Sequence, residues 1–162
     1  MFLTLPQVSA QDSPQGKTAI DSAIVAPVDA NSIQQRERKL AEYLSGSIFA
    51  GQFTIDGKES LAPKAEEYTI SKCEKLESPD KYRLTARIKY GEVDSEIPLD
   101  IKILWSGNTP VITLDSLWIP GMGTFSSRVL IHGNRYAGTW QHDAVGGHLF
   151  GQIKKVKTAQ TD

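Results

Sequence analysis

Hydrophobic and polar positions change their spacing once along this chain, dividing it into one helix and a series of strands. Ile33, Leu40, Tyr43 and Leu44 lie near one stripe of a 3.6-residue repeat, while Arg36, Glu37, Arg38 and Lys39 take the solvated side. Ser32 and Gln35 have the spacing of a capping box, each side chain satisfying the other's free backbone N–H. Gly46 marks the stop, because glycine takes the left-handed geometry after a helix without steric penalty. The pattern predicts a helix over Ser32–Ser45.

Beyond Gly46 the period becomes two. Phe49, Gly51, Phe53 and Ile55 alternate with Ala50, Gln52 and Thr54. Tyr82, Leu84, Ala86, Ile88 and Tyr90 alternate with Arg83, Thr85, Arg87 and Lys89, giving one dry and one wet face. Ile97, Leu99, Ile101, Ile103 and Trp105 do the same against Asp100 and Lys102. Glu67–Leu76 and Val111–Ile119 read as less regular strands, and Phe125–His132, Arg135–Asp143 and His148–Lys155 complete a set of about eight. Turn residues fall between them at Ser78-Pro79-Asp80, Gly91, Ser106-Gly107-Asn108 and Pro120-Gly121-Met122-Gly123. Consecutive hairpins after a single helix predict an all-β domain: an antiparallel up-and-down meander, closed as a barrel or strongly curled.

Composition narrows this picture. A length of 162 residues suits one domain, and a formal net charge of −1 supplies no basic field for nucleic acid. No apolar run is long enough to span a bilayer as a helix. Cys73 is the single cysteine, so it makes no internal disulfide, and it reads as a small residue half-buried in a strand. At the N-terminus, Phe2-Leu3-Thr4-Leu5-Pro6 followed by Val8-Ser9-Ala10 resembles the end of an export signal, with small residues where signal peptidase needs them. The domain organisation expected is therefore a signal remnant over 1–10, a flexible tether over 11–31, one β domain over 32–157 and a tail over 158–162. Export to the periplasm or beyond follows from that reading, and a cytoplasmic location is the alternative.

Three histidines, His132, His142 and His148, fall close together in sequence and invite a metal site. Strand registry tests the idea. Gly133-Asn134 suits a two-residue type II′ turn pairing His132 with Arg135, which sends His132 and His142 to opposite faces. A four-residue turn at Ala144-Val145-Gly146-Gly147 pairs Asp143 with His148 and turns His148 outward. A loop starting at Asp143 instead pairs His142 with His148 and allows a two-histidine site. The core pattern favours the first register, so no cofactor or metal is expected. No nucleophile elbow or phosphate loop appears either, and Glu66 and Glu67, being adjacent in a strand, point opposite ways.

The remaining distinctive residues are aromatic. Trp105, Trp118, Tyr136 and Trp140, turned inward, would line a pocket for a small apolar or ring-bearing ligand, with His142 as a polar fixing group at one mouth. Alternatively they fill the interior, since an eight-stranded barrel is barely wider than its own side chains. The helix followed by a meander, together with Gly138-Thr139-Trp140, resembles the calycin group of small barrels (lipocalins, fatty-acid-binding proteins and avidins). That resemblance implies binding of a small hydrophobic or ring-bearing ligand. The stretch Arg135-Tyr136-Ala137-Gly138-Thr139-Trp140-Gln141-His142, then Val145-Gly146-Gly147-His148-Leu149-Phe150-Gly151, resembles uncharacterised exported bacterial proteins and implies no activity. The expectation is an exported, non-enzymatic ligand-binding or interaction module. The alternatives are a metal-dependent or hydrolytic enzyme using His142, His148 and Asp143, and a structural envelope protein pairing through an open strand edge.

Overall fold

The computed structural model describes residues 29–90 and 93–156. The expected signal remnant, nearly all of the tether, and the tail lie outside these residues. Helix α1 spans Ala30–Leu44. Its cap is Asp29 rather than the predicted Ser32–Gln35 box: the Asp29 carboxylate accepts from the Asn31 amide at 3.3 Å, and Ser32 Oγ donates to the Asp29 carbonyl at 2.6 Å. An acidic side chain there also meets the positive end of the helix dipole. The helix therefore starts two residues earlier than the pattern indicated. Gly46 does end it, with φ of +64°.

Eight strands follow: β1 (Ser47–Phe53), β2 (Lys64–Lys75), β3 (Lys81–Tyr90), β4 (Val93–Ser106), β5 (Thr109–Ile119), β6 (Gly123–His132), β7 (Arg135–His142) and β8 (Val145–Lys155). Each pairs antiparallel with the next and β8 pairs with β1, so the meander closes into an up-and-down barrel. Closure removes the long free edge that edge-to-edge assembly would use. The dry faces meet inside, where Leu40, Leu44, Phe49, Ile70, Tyr82, Ile103, Ile131 and Ile153 belong to one buried cluster. Cys73 is buried there as well, more deeply than its sequence context suggested, and burial pushes its thiol up to about 12.

Helix α1 closes one end of the barrel through bonds to three separate places. Arg36 Nη1 donates to the Gly107 carbonyl at 3.1 Å and Tyr43 Oη to the Gly133 carbonyl at 2.9 Å, tying it to the β4–β5 and β6–β7 hairpin tips. Lys155 Nζ, at the end of β8, donates to the carbonyls of Glu42, Tyr43 and Ser45 at 2.7–3.0 Å. One ammonium thus satisfies carbonyls that a helix C-terminus otherwise leaves open, and it adds charge of the favoured sign.

The two strands that read as irregular each carry a β-bulge. In β2 the register to β3 shifts between Ile70 and Lys72; in β5 the register to β6 shifts between Leu114 and Leu117, where Ser116 takes φ of +50°. An extra residue reverses the inward parity of everything after it. Pro110, Ile112 and Leu114 face in before the β5 bulge, and Leu117 and Ile119 face in after it. Trp118, expected inside, consequently points outward and is 66% exposed.

The last hairpin holds a second correction. His142 pairs with Val145 and Thr139 with His148, so neither the Asp143–His148 nor the His142–His148 register forms. The loop is Asp143-Ala144, with Asp143 at φ of +50°. The inward set of β8 is nevertheless the expected one, because the true register differs from the favoured one by an even number of residues. Gly146 and Gly147, which looked like turn residues, lie within the strand. A Cβ on Gly147 would collide with the Thr54 carbonyl oxygen, so this glycine marks close backbone approach.

Candidate functional site

Away from α1, the barrel opens where two ladders stop early. The β2–β3 ladder runs between Thr69↔Arg87 and Lys75↔Tyr82, and the β4–β5 ladder between Lys102↔Thr113 and Ser106↔Thr109. The β3–β4 hairpin continues alone to Tyr90↔Val93. Ala86, Ile119 and Met122 form a second buried cluster here, with Leu99, Leu117 and Phe125 packed against it.

The inward side of β7 carries three of the expected site residues in sequence. Tyr136 is buried and packs on Phe49, with centroids 5.0 Å apart; Trp140 meets Phe53 edge-on at 5.6 Å and donates its indole N–H to the Thr54 carbonyl at 3.1 Å. His142 stacks on Phe125 at 4.3 Å, and its Nε2 lies 3.3 Å from Asp143 Oδ2. His148 is on the opposite, outward face beside Thr139, and His132 sits at the far end of the wall beside Arg135. The three imidazoles therefore point to different places. Among the described residues, no group of three His, Cys, Asp or Glu side chains is placed to hold a metal ion.

Glu66, which the sequence offered only as one of two adjacent carboxylates on opposite faces, faces into the barrel opposite Gly51. Tyr136 Oη donates to its Oε1 at 2.9 Å and Tyr68 Oη to its Oε2 at 3.0 Å. Burial raises the Glu66 pKa, and the two phenol donors pull it back. Burial, then the Glu66 charge beside it, holds the Tyr68 phenol well above its ordinary range, although 38% of that residue is exposed; burial and Glu66 hold the Tyr136 phenol up in the same way. With both oxygens satisfied, the cluster is a tied-off polar core. Period-two spacing of Glu66, Tyr68 and Ile70 was its available signal.

Trp105 lies at the other end, under α1. The Arg36 guanidinium carbon sits 4.0 Å from the centre of the Trp105 ring, a stacked cation–π arrangement. The Trp105 indole N–H lies beside the Tyr82 hydroxyl but outside normal hydrogen-bond geometry, and Arg36 Nε is likewise buried without a partner. Above this layer runs a groove of about 510 Å³ between α1 and the two hairpins it bridges. Its apolar floor includes Leu40, Tyr43, Trp105, Pro110 and Ile131; Arg36, Lys39 and His132 are at its rim, with no carboxylate in the lining. The five expected ligand residues are thus divided three ways: Tyr136, Trp140 and His142 along β7, Trp105 under the helix, and Trp118 outside.

No described helix is long and apolar enough to cross a membrane. Comparison with family models, with curated proteins and with solved structures finds no match to this chain.

Proposed function

We propose that this chain is an exported, non-enzymatic module of calycin-like architecture that binds a small ring-bearing anion in the groove between α1 and the barrel end. The carrying observation is the make-up of that groove. Its volume falls in the range of ligand sites, its floor is aromatic and aliphatic, and its charged rim is entirely basic. A ring lying on Tyr43 and Pro110 buries apolar area, while a carboxylate or similar group meets Arg36 and Lys39. Charge-assisted bonds of this kind are the strong ones. Export rests on the small residues at Val8-Ser9-Ala10.

Cys73 is buried with its thiol pushed up to about 12, leaving little thiolate near neutrality, so it offers no ready nucleophile. The test is titration of the full chain with aromatic carboxylates and their uncharged amides, followed by tryptophan fluorescence. A ligand of drug-like efficiency and modest size should saturate with a Kd of roughly 10–100 μM. Trp105→Phe should abolish most of the signal, and Arg36→Gln should weaken the carboxylate roughly tenfold or more, leaving the amide little changed. A panel without saturable response, or one unaffected by both substitutions, rules the site out.

A further inference from the structure

The strand registers place one apolar row across the outside of the barrel. Leu104 pairs with Val111, Val111 with Leu130, Leu130 with Ala137, and Ala137 with Phe150, so five adjacent strands each give one outward apolar residue to a continuous stripe. Leu104, Leu130 and Phe150 are 41%, 44% and 45% exposed. Contiguous exposed apolar surface of this kind marks an interaction site more often than scattered residues do. Strands in an eight-stranded barrel tilt by roughly 35–45°, so a row perpendicular to them climbs the wall obliquely and does not encircle it.

Charge flanks the stripe. Two residues along each strand, about 7 Å away on the same face, Lys102, Arg128 and His148 lie on one side and His132 and Arg135 on the other. Strands β6, β7 and β8 contain no Asp or Glu at all, against Arg128, Arg135, Lys154 and Lys155. The chain's formal net charge is −1, so everything outside these strands sums to −5 against their +4. Neither flanking row contains a carboxylate; Asp115, two residues beyond Thr113 on β5, is held by Arg128 and lies near Lys102. Arg135 and Lys154 form no ion pair among the described residues.

We infer that this wall docks on an anionic lipid surface, the stripe entering the headgroup boundary while Arg128, Arg135 and Lys154 meet lipid phosphates. The stripe is one residue wide and bounded by cations. That is too narrow for the buried centre of a protein interface and far too short for a membrane-crossing band, but it matches a shallow contact at the lipid boundary. Stripe-to-stripe pairing of two copies would set cations against cations.

The experiment is co-sedimentation of the full chain with vesicles of phosphatidylcholine alone and of phosphatidylcholine mixed with phosphatidylglycerol. The anionic vesicles should bind at least tenfold tighter, and added salt should erode the difference. The double substitution Arg135→Gln with Lys154→Gln should weaken binding roughly fivefold per cation removed. Leu130→Ser and Phe150→Ser should each weaken it roughly tenfold. Both apolar residues are exposed, so melting curves like the parent's are expected; were either variant to misfold, the parent's lipid and salt dependence decides alone. Equal binding to both vesicles, no binding, or binding indifferent to these substitutions overturns the inference. So does self-association that Leu130→Ser abolishes in a chain that ignores vesicles, which would assign the stripe to a second copy.

Discussion

Gly151→Ala tests how the barrel is closed. Gly151 of β8 pairs with Gly51 of β1 on one side and with Tyr136 of β7 on the other. A methyl group there would lie 2.6 Å from the Gly51 Cα and 2.7 Å from the Tyr136 hydroxyl oxygen, besides striking the Ala50 carbonyl oxygen. Two of these neighbours are backbone and cannot swing aside; the third is the donor that satisfies Glu66. Overpacking of this kind costs about 1–3 kcal/mol. Pulling the phenol from the carboxylate adds about 1.5–3 kcal/mol. The lower entropy of an unfolded chain with alanine returns only about 0.4–1 kcal/mol. The net loss is roughly 2–5 kcal/mol, equivalent to a fall of roughly 10–20 °C in Tm for a domain of this size. Thermal unfolding followed by circular dichroism measures it, with Gly107→Ala as the control. Gly107, unlike Gly151, has a positive φ (+59°), but a Cβ there meets nothing within 4 Å, so only about 1–2 kcal/mol of backbone strain is expected. In a Tyr136→Phe background the hydroxyl collision is gone, and Gly151→Ala should cost about 1.5 kcal/mol less than in the parent. A Gly151→Ala protein within about 0.5 kcal/mol of the parent, or an unchanged cost in Tyr136→Phe, refutes this account of the closure.

Two further outcomes follow from the interior and from the β5 bulge. The Glu66 pKa is raised above its ordinary 4.5, so between that value and the raised one the folded state holds a proton the unfolded chain has released. Stability should therefore fall as pH rises through this window and level off above it; Glu66→Gln lacks that slope, and a Tm difference between the two that stays flat from about pH 4 to about pH 7 would contradict the burial argument. Trp118→Ser should shift the urea midpoint by no more than about 0.5 kcal/mol, whereas Trp140→Ala should cost about 3–5 kcal/mol through lost packing on Phe53 and the lost bond to Thr54; the reverse ranking would mean that the bulge does not turn Trp118 out.

Much of this fold could be read along the chain because alternation is a local consequence of pleating. Tyr82, Leu84 and Ala86, and Ile97, Leu99, Ile101, Ile103 and Trp105, reached the interior as their period required, and Gly133-Asn134 made the expected two-residue turn, with Gly133 at φ of +58°. Gly46 ended the helix for a reason contained in its own backbone. Even the last hairpin, misplaced along its partner, kept its inward set, since only an odd slip would exchange the faces. The candidate site was less legible. Tyr136, Trp140 and His142 share one strand and one face, as alternation implies, but Trp105 joined Arg36 and Lys39 of the helix instead.

What the sequence determined by itself was the number and order of the strands and the side to which most residues turn, because each depends only on near neighbours. The tertiary structure decided the rest. Ser116 left the ladder because the register on either side had to be reconciled, and that turned Trp118 outward. Gly147 looked like a turn residue and Gly151 like an ordinary inward strand position, yet both are glycines because another strand's backbone occupies the space of a side chain. Glu66 was tied into the interior only when Tyr136, from a strand 70 residues along the chain, delivered its hydroxyl beside that of the neighbouring Tyr68. Steric exclusion and hydrogen-bond satisfaction between distant segments leave no periodic trace, so they become visible only when the barrel closes.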